Sequence, residues 1–195
     1  MFWMLAVAVA AITSCTKSEV VDIPESRLIG FDPFVGKQTR ADESTTSEDG
    51  TNPNVISGRN DLTKFWVYGT MDYSGVVFDG QEVAWVSSNA GGHFEYTPHK
   101  TWNVNKTYRF AAISDGNSEC PNVTYTTAAD KNELTVSDYI VSNKDLIADI
   151  AQPIFTKADG SGIPAGRVGF MLDHLLTRVR FELENTSADN SGLAI

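Results

Sequence analysis

The sequence predicts an all-β protein built as a β-sandwich, and three observations carry that expectation. Aromatic and β-branched residues gather in short runs at intervals of about 10 to 20 residues. Gly, Pro, Asn and Asp stand between those runs, where chain reversals need them. No segment of convincing length repeats apolar residues at helical spacing.

Taken in order, the first candidate strand is SRLIGFDPFV at 26–35, where Pro33 is expected to keep the end of the strand out of a regular ladder. Residues 36–61, GKQTRADESTTSEDGTNPNVISGRND, are almost free of large apolar side chains, so they bury little and read as an exposed loop. LTKFWVYGTMDY at 62–73 places Phe65, Trp66, Val67 and Tyr68 in a run suited to a pleated surface. VVFDGQEVAWV at 76–86 sets Asp79-Gly80 between two apolar stretches, the signature of a hairpin turn. HFEY at 93–96 and TYRFAAIS at 107–114 follow, the latter alternating Tyr108, Phe110 and Ala112 with Arg109, Ala111 and Ile113. NVTYTT and ELTVSDYIV add two strands around a polar break at 129–132.

The segment RVGFMLDHLLTRVRFELEN at 167–185 alternates most cleanly. Val168, Phe170, Leu172 and His174 take one side, and Val179, Phe181 and Leu183 resume the pattern after a phase break at 173–177. That break predicts a corner, a bulge or a single helical turn. GLAI at 192–195 reads as the start of another strand, so the chain is expected to be a fragment of a longer protein.

Charge narrows the partners. Lys and Arg number 15 against 25 Asp and Glu, a net −10, which opposes nucleic-acid binding because phosphate backbones need a cationic face. The first 14 residues carry no charged side chain. A spanning helix needs about 20 apolar residues, so this run fits the apolar core of a signal peptide better. Ile12-Thr13-Ser14-Cys15 resembles the bacterial lipobox, in which the cysteine is acylated and becomes the new N-terminus. Acyl chains then hold the protein at a membrane, each buried CH₂ contributing about 0.8 kcal/mol. An ordinary signal peptide with an incidental cysteine is the alternative. No Lys or Arg precedes the apolar run, a departure from the usual positive start.

Catalytic patterns are missing from the sequence. His93 and His99 lack a recognisable metal-ligand spacing, and His174 in an apolar strand reads as a hydrogen-bonded structural residue. Asp159-Gly160-Ser161-Gly162 lacks the ligand pattern of a calcium loop and reads as a turn. Cys120 lies among loop residues with no base placed to activate it. Nothing calls for a cofactor, and the expectation is a protein that is not an enzyme.

Several motifs in sequence together resemble the fimbrillin-like lipoproteins of Bacteroidetes, subunits of type V pili. They are the Cys15 lipobox, RLIGF at 27–31, Thr39-Arg40-Ala41, LTKFWVYGT, KTWNVNKTYRFAAIS, DLIAD at 145–149 and the strand pair in 167–185. The likeness spans most of 15–195 and rests on the order of the motifs. It implies a transthyretin-like sandwich that is the N-terminal domain of a two-domain pilin, a fimbrial or adhesive role, and a location at the outer membrane or cell surface. It also implies maturation at Arg40-Ala41 by an arginine-specific protease, after which the leading strand departs and another pilin subunit donates a strand. Arg40 as one more solvated loop cation stays open beside that reading.

The corresponding organisation is a signal peptide at 1–14, a tether plus leading strand at 15–40, and the sandwich domain at 41–195. Expected partners are other pilin subunits, membrane lipid through acylated Cys15, and a host or bacterial surface ligand. A different function, a non-polymerising surface lipoprotein that binds carbohydrate, would use Trp66, Trp85 or Trp102 to stack on sugar rings.

Overall fold

The computed structural model describes residues 27–35, 56, 58, 60–89 and 91–176. Within them the chain is all-β, as the sequence predicts, with ten strands and no α-helix. In chain order these are β1 (Phe31–Val35), β2 (Lys64–Met71), β3 (Gly75–Val86), β4 (His93–Glu95), β5 (Lys106–Asp115), β6 (Val123–Thr127), β7 (Asn132–Val136), β8 (Leu146–Ile150), β9 (Ile154–Thr156) and β10 (Val168–His174).

The main sheet runs β1-β10-β8-β5-β2-β3-β4, with β9 sharing the edge of β5 that β8 uses further along. Its pairings are antiparallel apart from β1 on β10, which is parallel. The sheet folds over on itself in a sandwich-like way. Phe31 of β1 packs against Phe78 of β3 and Phe110 of β5, and Phe170 of β10 against Phe65 of β2, although these strands are not neighbours in the ladder. Residues just before β1 then meet the segment after β4, through an antiparallel bridge between Leu28 and Thr101.

The central strands are buried on both faces, which explains why their sequence is continuously apolar rather than alternating. In β2, Phe65 and Val67 enter the main core while Trp66 and Tyr68 enter a second cluster with Ile113, Cys120 and Leu146. The β6–β7 hairpin covers that second cluster with Val123, Tyr125, Leu134 and Val136. It is tied down where Thr70 Oγ1 and Thr127 Oγ1 meet at 2.9 Å and Thr127 donates to the Tyr73 carbonyl at 2.7 Å.

Three expectations need correction. Asp79-Gly80 makes no hairpin: β3 runs unbroken from Gly75 to Val86, and the pair sits in a bulge where the register on β2 slips between Val67 and Gly69. Gly80 takes φ +65° there. The real β2–β3 reversal is at Asp72 and Tyr73, both at positive φ, with the Ser74 amide donating to the Asp72 carbonyl. Pro33 is not outside the ladder but within it, in register with Phe170. Lastly, Ile56 lies in the polar stretch expected to bury little, yet it is fully buried in the main core.

Candidate functional site

Strand β1 stands at one end of the main sheet and, among the described residues, ladders with β10 alone. Its sequence alternates with the pleat: Ile29, Phe31, Pro33 and Val35 point inward, while Asp32 and Phe34 point out. Phe31 is the centre of the contact, lying within 6 Å, centroid to centroid, of the rings of Phe78, Tyr96, Phe110 and Phe170. The aromatic residues of four other segments thus form a socket for one side chain of β1.

Main-chain direction along β1 also alternates. The Val168 amide donates to the Gly30 carbonyl at 2.7 Å, so the even-numbered residues turn their polar backbone groups toward β10. Those of Ile29, Phe31, Pro33 and Val35 face the opposite edge. Pro33 therefore presents its missing N–H to the side with no further strand among the described residues. A proline is tolerated in a ladder only in that position.

At the start of β1 the outer edge is occupied. The Ile29 amide donates to the Lys100 carbonyl at 2.9 Å, and the Trp102 amide donates to the Arg27 carbonyl at 2.9 Å. The Tyr96 hydroxyl donates to the Ile29 carbonyl at 2.7 Å and accepts from the Lys100 amide at 3.1 Å. Burial pushes the Tyr96 phenol above its ordinary pKa, so it stays a neutral donor. Arg167 Nη1 donates to the Phe31 carbonyl at 3.4 Å and to the Phe94 carbonyl, joining β1 to β4. Its stem crosses Gly30, where an added Cβ would come within 3.0 Å of Arg167 Cγ.

These groups border a cleft of about 360 Å³ between residues 28–30, 93–96 and 164–167. On its rim Glu95 does what spacing did not reveal. One carboxylate oxygen meets His99 Nε2 at 3.1 Å and the other meets His93 Nε2 at 3.4 Å. Among the described residues, however, no three His, Cys, Asp or Glu side chains are arranged to hold a metal ion.

The remaining chemistry-bearing residues are placed as follows. His174 Nδ1 lies 2.8 Å from Asp145 Oδ1, both side chains one-tenth exposed, and Asp145 Oδ2 accepts the Ile56 amide at 3.1 Å. Cys120 is a free, buried thiol whose pKa is pushed up to about 11 by burial. Asp159 to Gly162 form a turn, with the Ser161 amide donating to Asp159 Oδ1 at 2.9 Å. Trp66 and Trp102 are buried, and Trp85 packs edge-on against Phe94, so the tryptophans suggested for sugar stacking are largely committed to packing. Cys15, Arg40 and Ala41 lie outside the described residues. No helix of the described residues is long and apolar enough to cross a membrane.

Comparison of the chain with protein-family models, with curated proteins and with solved structures finds no match.

Proposed function

We propose that this chain is the precursor of a fimbrial subunit or tip adhesin of the fimbrillin-like, transthyretin-like kind. It is exported as a lipoprotein acylated on Cys15, carried to the outer membrane or cell surface, and matured by cleavage between Arg40 and Ala41. Cleavage lets the leading strand leave, and a strand from another subunit takes its place. No catalytic step is assigned to the chain itself.

The observation that carries this reading is the way β1 is inserted. Its inward side chains fill an aromatic socket, yet among the described residues its one ladder partner is β10. Departure of β1 uncovers the β10 edge from Val168 to Leu172 together with the apolar places of Ile29, Phe31, Pro33 and Val35. An open edge beside an apolar trough favours addition of a strand of matching alternation. Sequence order adds support, because Arg40 follows Val35 by only five positions.

An arginine-specific protease added to the folded chain tests the reading. The expected product is a folded core beginning at Ala41 that assembles into polymers, while Arg40→Ala blocks both cutting and assembly. A folded chain that resists cleavage at Arg40 overturns the maturation step. Retention in the membrane fraction after Cys15→Ala overturns the lipid anchor.

A further inference from the structure

Arg167 holds two carbonyls with a single nitrogen. Its Nη1 donates to the Phe31 carbonyl on β1 and to the Phe94 carbonyl on β4, which fixes the guanidinium across the gap between the two ends of the folded sheet. Among the described residues Nε and Nη2 have no hydrogen-bond partner, and no carboxylate pairs with this side chain. Carboxylates are not scarce, since 25 Asp and Glu stand against 15 Lys and Arg. Among the described residues Glu95 is the carboxylate on the same cleft, and it meets His99 Nε2 at 3.1 Å and His93 Nε2 at 3.4 Å rather than Arg167. We infer that the cleft, of about 360 Å³, is a binding site for a small sugar acid: one ring with hydroxyl groups and a single carboxylate, anchored by Arg167.

Each part of the cleft matches one part of such a ligand. A guanidinium edge with two donors takes a planar carboxylate through two parallel bonds. One cation with a carboxylate on the rim favours a single negative charge over the double charge of a phosphate monoester. Glu95, His93 and His99 offer the acceptors and donors that ring hydroxyls need. Leu28, Pro164 and Ala165 supply apolar surface for the C–H groups of the ring. The volume lies near the lower end of the range of about 300–1,000 Å³ for small-molecule sites, which suits one ring rather than a chain of them. The two carbonyls hold the guanidinium in place before a ligand arrives, so binding orders it little further.

Residues 28–30 form one wall, so the site needs the leading segment in place but not cleavage at Arg40, and it is tested on the uncut chain. D-glucuronate is titrated into the isotope-labelled protein while NMR follows the amides of Phe94, Glu95 and Gly166 and the Arg167 Nε–H. Saturable shifts are expected there, with the amides of Ala111 and Ile113 in β5 unmoved. Glucose lacks the carboxylate and acetate lacks the ring, and each is expected to bind at least about tenfold more weakly, the factor that roughly one net hydrogen bond supplies. Arg167→Lys keeps the charge but loses the fork, and weakens glucuronate binding by about tenfold or more. Ala165→Trp fills the cleft from an exposed position, leaves Arg167 present and abolishes binding.

No saturable shift in the parent chain, glucose binding as well as glucuronate, or an affinity untouched by both variants overturns the site. Acetate or N-acetylalanine binding as tightly as glucuronate overturns the sugar acid as its ligand. Glucuronate binding by a chain that never polymerises after cutting sinks the proposed function and leaves the site intact. A chain that polymerises yet never binds glucuronate has the opposite meaning.

Discussion

Phe31 and Phe170 lie on paired parallel strands with ring centroids 5.7 Å apart and planes inclined by 28°. The stack makes β1 an integral part of the core, even though the strand stands at one end of the sheet. Phe31→Ala empties the socket shared by Phe78, Tyr96, Phe110 and Phe170. The expected loss is about 3–5 kcal/mol in urea unfolding, the range for a fully buried phenylalanine. A loss below about 1 kcal/mol would mean that β1 contributes little to the stability of the chain.

Asn117 organises the entry to β2 from a distance. Its Oδ1 accepts the amides of Thr63 at 2.7 Å and Lys64 at 3.2 Å, and its Nδ2 donates to the Asp61 carbonyl at 2.9 Å. Asn117→Ala leaves these backbone groups without their partner and places alanine at φ +62°. The expected cost is about 2–3 kcal/mol in thermal or urea unfolding. Asn117→Gly relieves the backbone but not the bonds, so it should recover only part of the loss.

Pro33 protects the edge it lies on. Pro33→Val retains the inward apolar side chain and adds an N–H on the edge of β1 where no further strand stands among the described residues. Sheet edges with complete donors pair with other strands. The expected outcome is an unchanged circular dichroism spectrum with concentration-dependent self-association in light scattering. A variant that stays as monomeric as the parent chain would show that the missing donor has no protective role.

Much of this fold is legible in the sequence, and the exceptions share a cause. Alternation of Val168, Phe170 and Leu172 was enough to read β10, because one of its faces is core and the other is open. Asp79-Gly80 misled because a positive φ serves a bulge as well as a turn, and only the pairing partner decides which. In β8 the polar Asp149 breaks the apolar run, since its carboxylate accepts the Met171 amide at 2.7 Å where β10 parts from β8. Ile56 and the His93-Glu95-His99 cluster depend on contacts that form only after folding. Of the candidate site, the alternation of Ile29, Phe31 and Val35 was visible, whereas Tyr96 and Arg167 carry no local signal.

The tyrosines around the β6–β7 hairpin make its docking sensitive to alkali. Burial, followed by the charges of Glu119 and Asp79, raises Tyr68 to about 12. Burial, followed by the hydrogen bond to Asp115, raises Tyr139 to about 12, and burial raises Tyr125 further. Cys120 beneath them is raised to about 11. All four lie above their ordinary values of 10.0 for tyrosine and 9.0 for cysteine, so the unfolded chain gives up these protons first. The native state then binds more protons than the unfolded one, and stability falls as pH rises. Their contribution is complete below about pH 9 and is lost progressively as pH climbs to about 12. The hairpin should undock first, because the main core holds fewer such groups. The measurement is Trp66 emission, which reports the second cluster, followed beside tyrosinate absorbance through an alkaline titration. Tyr125→Phe and Tyr139→Phe each remove one titrating group and should move the emission change to higher pH. Should it move to lower pH, the Tyr125 hydroxyl bond to Asn132 and the Tyr139 bond to Asp115 hold the hairpin more strongly than their ionisation weakens it.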